Sequence, residues 1–222
     1  MKYVFLHTHK QSQKCILFFG GFGSRAEQFA HLDAQCNVIL VYDYRDFKLP
    51  QSFYRAMSAF SEVILIAFSM GVSIAPFFVS SLSLSKKIAI NGTNVGIDRV
   101  FGIHPAIFKK SIAHFDWLTF QKALVGGEEK KLAHFLTKQP KNEELQEELQ
   151  SIFDFLFLAH TKTNNAHFIY DDALLSSNDT IFPLNAAQQF FASFSPSTRI
   201  HIIQGAHFVF FDFCSWEELC CI

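Results

Sequence analysis

Residues 62–75 read EVILIAFSMGVSIA, an apolar run that leads directly into a serine, a methionine and a glycine. Residues 64–68 are apolar without alternation, which is typical of a central parallel strand covered by helices on both faces. The residues after Gly71 are compatible with a helix, so Ser69 is predicted to lie at a sharp turn between strand and helix. A nucleophile elbow has this arrangement, because the strained turn exposes the hydroxyl and the following helix N-terminus faces the developing oxyanion. A serine that merely caps a helix gives the same pattern, so further segments have to decide.

The rest of the chain alternates short β-rich runs with helical patterns, which predicts an α/β class fold with a mostly parallel sheet. The other predicted strands are residues 3–7, 15–19, 37–42, 87–90 and 199–203, together with either 167–170 or 172–176, of which the second is preferred. Residues 9–14 form a polar turn that is too short for a crossover helix. We therefore expect the first two strands to form an antiparallel hairpin at the edge of the sheet.

Residues 98–163 interrupt this rhythm, because they contain no clear strand and several helical patterns. We interpret them as a helical lid inserted into a single domain that spans residues 1–222. One helix of the lid is predicted to open at Asn142. Its apolar face carries Leu145, Leu149, Ile152, Phe153 and Leu156, and its other face carries Glu143, Glu144, Glu147 and Glu148.

The composition excludes several classes of protein. The 19 Lys and Arg residues nearly balance 20 Asp and Glu, so the overall charge shows no nucleic-acid footprint. Five cysteines without repeated spacing argue against a disulfide framework or a zinc site, and we expect a cytoplasmic protein without metal or cofactor. The N-terminus turns polar after a few residues, and no apolar run approaches the ~20 residues of a membrane span. We expect a soluble protein and favour a monomer.

A second segment, residues 17–24, reads LFFGGFGS and predicts a strand end followed by a glycine-rich loop. It lacks both the G-K-[ST] ending of a phosphate loop and the full G-x-G-x-x-G dinucleotide spacing. It does fit an oxyanion loop, in which the backbone N–H groups of Phe22 and Met70 hold the negative oxygen of a tetrahedral intermediate. Gly21, Phe22 and Gly23 are accordingly predicted to contact the substrate, and a turn required only by packing is the alternative.

The remaining partners of a catalytic triad follow in the order serine, acid, histidine that this arrangement uses. Asp179 lies in a loop after a predicted strand, and His207 lies just beyond the last strand, so both are placed at carboxyl ends of strands, where α/β sheets bind ligands. Other candidate acids are Asp43, Asp46, Asp171 and Asp172. Asp179 is preferred because only this residue is followed by the Ile-x-Pro pattern of an acid loop.

Several segments together resemble the BioG-type pimeloyl-[acyl-carrier protein] methyl ester esterases of bacterial biotin synthesis. They are residues 20–23 (GGFG), 42–47 (YDYRDF), 68–72 (FSMGV), 89–93 (AINGT), 102–108 (GIHPAIF) and 179–183 (DTIFP). The resemblance implies an α/β-hydrolase fold and removal of the methyl ester from the carrier-linked chain, with Ser69 as nucleophile, Asp179 as acid and His207 as base. The chain departs from the wider superfamily at Gly20-Gly21, where His-Gly is usual, and at Ala67 in the elbow.

The partner implied by the resemblance is an acyl carrier protein, which is acidic and calls for a local basic patch. The lid lysines Lys109, Lys110 and Lys122 are candidates for this docking. The lid also carries many glutamates, so a solvated helix surface with ion pairs at positions i and i+3 is the alternative. Lid phenylalanines and Phe22 are expected to form an apolar slot for the acyl chain. Two further functions stay open: a general carboxylesterase or thioesterase, and a non-catalytic scaffold that only binds an acyl partner.

Overall fold

The computed structural model describes residues 1–133, 141–160 and 167–222. Within these residues, seven strands form one sheet in the order β1-β3-β2-β4-β5-β6-β7. The strands are β1 (Lys2–His7), β2 (Lys14–Phe19), β3 (Asn37–Tyr42), β4 (Glu62–Phe68), β5 (Lys86–Ile90), β6 (Asp172–Ser176) and β7 (Arg199–Ile203). The helices are α1 (Gln51–Met57), α2 (Met70–Ile74), α3 (Pro76–Val79), α4 (Pro105–Ala113), α5 (Trp117–Val125), α6 (Glu129–Ala133), α7 (Asn142–His160), α8 (Leu184–Phe194) and α9 (Trp216–Cys220).

The predicted α/β class and the central position of β4 are confirmed, since β4 lies fourth among the seven strands. The preferred strand at residues 172–176 is also confirmed as β6. Apolar side chains alternate between the two faces of the sheet, as Leu65 and Ala67 join one core cluster and Ile64 and Ile66 join the other. Burial on both faces explains why β4 reads as a continuous apolar run.

The predicted hairpin of the first two strands is wrong. Strand β1 is antiparallel and lies at the sheet edge as expected, but it pairs with β3, with Lys2 opposite Tyr42. Strand β2 lies between β3 and β4 and is parallel to both. Strands that share a neighbour are about 10 Å apart, a gap that a short polar link can cross without a helix. The Asn37 side chain stabilises this link by bonding both the N–H and the carbonyl of His9.

The lid region of residues 98–163 contributes helices α4 to α7 between β5 and β6. Residues 134–140 and 161–163 of the predicted lid lie outside the described residues, and its limits stay a prediction. Helix α7 buries Leu145, Leu149 and Ile152 as predicted, but it also buries Glu148, which was expected on the outer face. Glu148 follows Leu145 by three positions and precedes Ile152 by four, so helical geometry places all three on one side. No helix among the described residues is long and apolar enough to cross a membrane.

Candidate active site

The turn after β4 holds Ser69 in a strained backbone conformation, with φ of 56° and ψ of −124°. Positive φ is rare for a residue with a side chain and costs free energy that the surrounding structure must supply. Part of that support is a hydrogen bond of 2.9 Å from the Ser69 N–H to the Ile90 carbonyl at the end of β5. Gly92 packs directly on this turn, because a Cβ at that position would overlap the Ser69 carbonyl oxygen. The strand, turn and helix predicted around Ser69 are therefore present.

Asp179 and His207 form a buried pair beyond the carboxyl ends of β6 and β7. His207 Nδ1 lies 2.6 Å from Asp179 Oδ2, and neither side chain is appreciably exposed. The other carboxylate oxygen accepts hydrogen bonds from the backbone N–H groups of Ile181, at 2.8 Å, and Phe182, at 2.9 Å. These donors fix the orientation of the carboxylate. In the tautomer that donates Nδ1–H to this carboxylate, His207 Nε2 is an acceptor.

His207 Nε2 is buried and has no hydrogen-bond partner among the residues that the structure describes. A buried polar atom without a partner is uncommon and calls for an explanation. The His207 ring contacts two phenylalanines, with centroid distances of 4.9 Å to Phe68 and 6.0 Å to Phe182. Phe68 directly precedes Ser69, so the His207 ring contacts the residue next to the serine, although no hydrogen bond joins His207 Nε2 to Ser69. Hydrogen bonds of catalytic groups are often long without substrate and tighten when it binds.

Asn91, directly after β5, joins the end of β6 to the histidine loop. Its amide nitrogen donates to the His207 carbonyl at 2.6 Å and to the Ser176 hydroxyl at 2.8 Å, and its amide oxygen accepts the Ser176 N–H at 2.7 Å. The residue is buried and has a positive φ of 45°, a conformation that asparagine tolerates better than most residues. In the sequence analysis, the Asn-Gly-Thr segment served only as part of the family resemblance, and Asn91 was assigned no role. The available signal was an asparagine directly before a glycine at a strand end.

The glycine-rich loop lies against the serine. A Cβ on Gly21 would be 2.9 Å from Ser69 Cβ, so this close approach requires glycine. Phe22 packs edge-on against Phe115 and Phe120 of the lid, with centroid distances of 5.3 Å and 5.2 Å. The loop that was predicted to supply an oxyanion donor is therefore next to Ser69 and in contact with the lid.

A cavity of about 530 Å³ opens beside Ser69, within the usual range of ligand pockets. Its aromatic lining comes from Phe22, Phe108, Phe115 and Phe120, which identifies the lid phenylalanines of the predicted slot. Met70, the second predicted oxyanion donor, also lines the cavity. Charged and polar groups line it too: Arg99, His104, Ser111, His114, Asp116 and Thr119. Of the residues predicted to contact substrate, Phe22 lines the cavity, whereas Gly21 lies against Ser69 and Gly23 against Trp117.

The competing acids Asp43, Asp171 and Asp172 have other partners. Asp43 forms ion pairs with Lys2 and Arg45, both at 2.8 Å. Asp171 accepts the backbone N–H of Lys87 at 2.8 Å. Asp172 is fully buried but lies at the start of β6, at the opposite end of the strand from Asp179. The preference for Asp179 as the partner of His207 thus agrees with the observed contacts.

The predicted docking lysines lie on two lid helices. Lys109 and Lys110 are exposed on α4, and Lys122 is exposed on α5. Ile107, also on α4, lines the catalytic cavity and is 61% exposed. Lys131 on α6 instead pairs with Glu128 at 3.4 Å and Asp212 at 3.0 Å, as expected for a solvated helix surface.

Comparisons with known proteins agree with this arrangement. The family model described as pimeloyl-ACP methyl esterase BioG matches residues 2–219. A crystal structure of BioG from Haemophilus influenzae has a TM-score of 0.86 and 28% identity, and the match covers 99% of both chains. A Bacteroides fragilis malonyl-[acyl-carrier protein] O-methyltransferase is 30% identical over 88% of this chain, which spans only 40% of that relative. An esterase from Exiguobacterium antarcticum shares the fold, with a TM-score of 0.65 and 16% identity over 95% of this chain and 89% of its own.

Proposed function

The chain belongs to the pimeloyl-ACP methyl esterase BioG family, and we propose that it hydrolyses the methyl ester of pimeloyl-[acyl-carrier protein] through Ser69, His207 and Asp179. The observation that carries this proposal is the unpartnered Nε2 of the buried His207, whose other nitrogen bonds Asp179. A serine hydroxyl is a weak nucleophile until a neighbouring base accepts its proton. The free imidazole nitrogen near a strained serine turn supplies that base.

Acylation is the first half of the proposed reaction. His207 Nε2 accepts the hydroxyl proton while Ser69 Oγ attacks the ester carbonyl carbon, and the electron pair of the C=O bond moves to oxygen. The resulting oxyanion is bound by the backbone N–H groups of Phe22 and Met70. The tetrahedral intermediate then expels methoxide, which receives the proton from His207 and leaves as methanol. Asp179 stabilises the imidazolium formed in between and keeps Nδ1 as the protonated nitrogen.

Deacylation repeats these steps with water. His207 accepts a proton from the water molecule that attacks the acyl-enzyme, and it then returns a proton to Ser69 Oγ as the free carboxylate is released. The apolar part of the cavity binds the methylene chain, and each methylene that it removes from water contributes roughly 0.8 kcal/mol. Four lid and loop phenylalanines therefore favour a medium-length aliphatic acyl group.

The first experiment compares Ser69→Ala with wild type on the methyl ester of pimeloyl carrier protein and on a small chromogenic ester. We expect kcat to fall by at least about 10⁴ on both substrates, because the covalent step is lost. Ser80→Ala, an exposed position on the adjacent helix end, serves as the matched control. A folded Ser69→Ala protein with normal turnover would refute the proposed nucleophile. Hydroxylamine added during wild-type turnover should give a hydroxamate at the freed carboxyl, whereas direct attack by water would give none.

The carrier protein is proposed to dock on the exposed lysines Lys109, Lys110 and Lys122. Lys109 and Lys110 share α4 with Ile107, which lines the cavity, so a carrier bound there would present its acyl chain at the opening. The double variant Lys109→Glu/Lys110→Glu should raise KM for the carrier-linked ester at least tenfold and leave KM for the small ester unchanged. Lys10→Glu is the control, since this exposed lysine precedes β2 at the end of the sheet opposite Ser69. Equal effects on both substrates would refute this docking site.

A further inference from the structure

Glu148 belongs to the lid helix α7, but its side chain is fully buried behind the glycine-rich loop. Its Oε1 accepts the backbone N–H of Gly23 at 3.4 Å and the backbone N–H of Tyr44 at 3.3 Å. Gly23 has a positive φ of 70° and directly follows Phe22, whose N–H is the proposed oxyanion donor. The Glu148 carboxylate thus bonds the loop one residue away from the Phe22 N–H, which must be placed accurately to bind the oxyanion.

Tyr44, whose backbone bonds Glu148, also holds the other end of the glycine-rich loop. The Tyr44 hydroxyl donates to the Gly20 carbonyl at 2.6 Å, and the Tyr44 ring is fully buried. Glu148 bonds the backbone of Tyr44 as well as that of Gly23, so the contacts form a closed ring through Gly20, Tyr44, Glu148 and Gly23. A loop that is fixed at both ends has less freedom to displace the N–H group between them.

The contacts of the Glu148 carboxylate offset the free-energy cost of its burial only in part. Oε2 has no hydrogen bond within the described residues and lies 3.8 Å from the nearest guanidinium nitrogen of Arg25. Burial raises the pKa of Glu148 to about 7, against the opposing charge of Arg25. An apolar side chain of similar size would occupy the position at lower cost. Core packing therefore does not account for a glutamate here, whereas its bonds to the loop do.

We propose that Glu148 is a positioning residue, which fixes the Gly23 N–H and thereby the oxyanion-binding Phe22 N–H, so that the catalytic loop is set by the lid helix α7. This inference rests on the proposed function, since it takes Ser69 as nucleophile and Phe22 as donor. Removal of one oxyanion donor costs about 10²- to 10³-fold in kcat. Misplacement of a donor that remains present should cost less, about 10- to 100-fold.

The experiment measures kcat and KM of Glu148→Ala, Glu148→Gln and Glu147→Ala on a small chromogenic ester, which avoids carrier docking. Glu148→Ala should lower kcat 10- to 100-fold and leave KM within threefold of wild type. Glu148→Gln should restore kcat to within about threefold, because its amide oxygen still accepts both N–H groups. Glu147→Ala, on the exposed side of the same helix, should behave as wild type. Unchanged kcat in Glu148→Ala, or equal loss in Ala and Gln variants that are folded, would overturn the proposal.

Binding of a trifluoromethyl ketone gives a second readout, because its adduct with serine places an oxyanion in the same site. Its inhibition constant should rise in Glu148→Ala by the same factor as kcat falls, and an unchanged constant would overturn the proposal. If Glu148→Ala does not fold, Tyr44→Phe tests the same ring of contacts by removing only the bond to Gly20, with an expected five- to tenfold loss of kcat at constant KM. Normal kcat in that variant would count against the ring.

Failure of this proposal is distinguishable from failure of the proposed function. If Ser69 is not the nucleophile, Ser69→Ala keeps its activity and the wild type forms no ketone adduct. If only the role of Glu148 is wrong, Ser69→Ala is inactive while Glu148→Ala retains both turnover and inhibitor affinity.

Discussion

Strand β6 is flanked by two buried aspartates, and each bonds a histidine. Asp172 at the start of the strand lies 2.8 Å from His201 Nε2, and Asp179 beyond its end lies 2.6 Å from His207 Nδ1. Asp172 also accepts two hydrogen bonds of 2.8 Å from Arg199 and an ion pair of 3.0 Å from Lys86. Asp179 instead accepts two backbone N–H groups.

The difference separates a structural pair from a catalytic candidate. The cations Lys86 and Arg199 already neutralise Asp172. Its third partner, His201, is 36% exposed, so the contact between this histidine and the carboxylate adds little electrostatic stabilisation. Among the described residues, Asp179 has one ionisable partner, and that imidazole is buried and makes no hydrogen bond through its second nitrogen. An Asp-His contact is therefore no sufficient mark of a catalytic site. The chemistry of an Asp-His pair depends on how many other cations bond the aspartate and on what surrounds the second nitrogen of the histidine.

The largest effect is expected for Asp179→Asn. This change leaves the shape of the pair intact but favours the wrong imidazole tautomer, which elsewhere costs about 10⁴ in kcat. Steady-state turnover of a small ester checks this value, and near-ultraviolet circular dichroism checks that the fold is retained. A loss of less than tenfold would place Asp179 among the structural aspartates.

Asp172→Asn should give the opposite result. We expect kcat within about threefold of wild type, because Asp172 lies at the far end of β6. The free energy of unfolding should fall, since Lys86 and Arg199 lose the buried carboxylate that bonds both of them. Urea denaturation measures the stability. A large loss of turnover in a stable variant would contradict the division between the two ends of the strand.

The pH dependence of stability sharpens the same contrast. Burial opposes ionisation, but hydrogen bonds from Arg199, His201 and Lys86 outweigh it and hold the pKa of Asp172 well below its usual range. The unfolded chain then takes up this proton at higher pH than the folded chain does. The contribution to stability is fully present above about pH 5 and is lost progressively as the pH falls from there. Unfolding free energies measured from pH 6 to pH 3 should decline more steeply for wild type than for Asp172→Asn, and parallel curves would contradict this account.

The smallest effect is expected for His201→Ala. Arg199 and Lys86 still neutralise Asp172, and the histidine is partly exposed, so stability should change by less than about 1 kcal/mol. Turnover should equal that of wild type. His207→Ala is the matched variant at the other end and should lose nearly all activity. Similar activities for the two variants would remove the distinction between the pairs.

The sheet was predictable because its strands are marked by local composition. Residues 64–68 are apolar on both faces, and that pattern alone places them in the centre. The partner of β1 was not predictable. A short link between β1 and β2 allows them to pair as a hairpin, but it also allows β3 to lie between them. In the observed arrangement the Asn37 amide bonds the link from a distant position in the sequence, a contact that no local pattern predicts.

The site residues were predictable to the extent that each type has a local signature. Ser69 lies in an elbow sequence, and Asp179 precedes an Ile-x-Pro pattern. Asn91 has only the weak signal of an asparagine before a glycine, and Glu148 has no local signature, because their contacts join segments about 85 and 125 residues apart. The burial of Glu148 was also difficult to predict, because the neighbouring glutamates in the sequence suggest a solvated helix face. Its spacing from Leu145 was the one signal of burial.

The contacts of the lid limit how this enzyme can be re-engineered. Its helix α5 accepts the Phe208 N–H at the Leu124 carbonyl, 2.8 Å away, directly beside His207. Other lid residues, Phe115 and Phe120, pack on Phe22. A lid grafted from a homologue to change acyl-chain preference would therefore replace supports of both the proposed base and the proposed oxyanion loop. Chimeras that exchange the lid alone should lose rate as well as change selectivity, unless the two loops are transplanted with it.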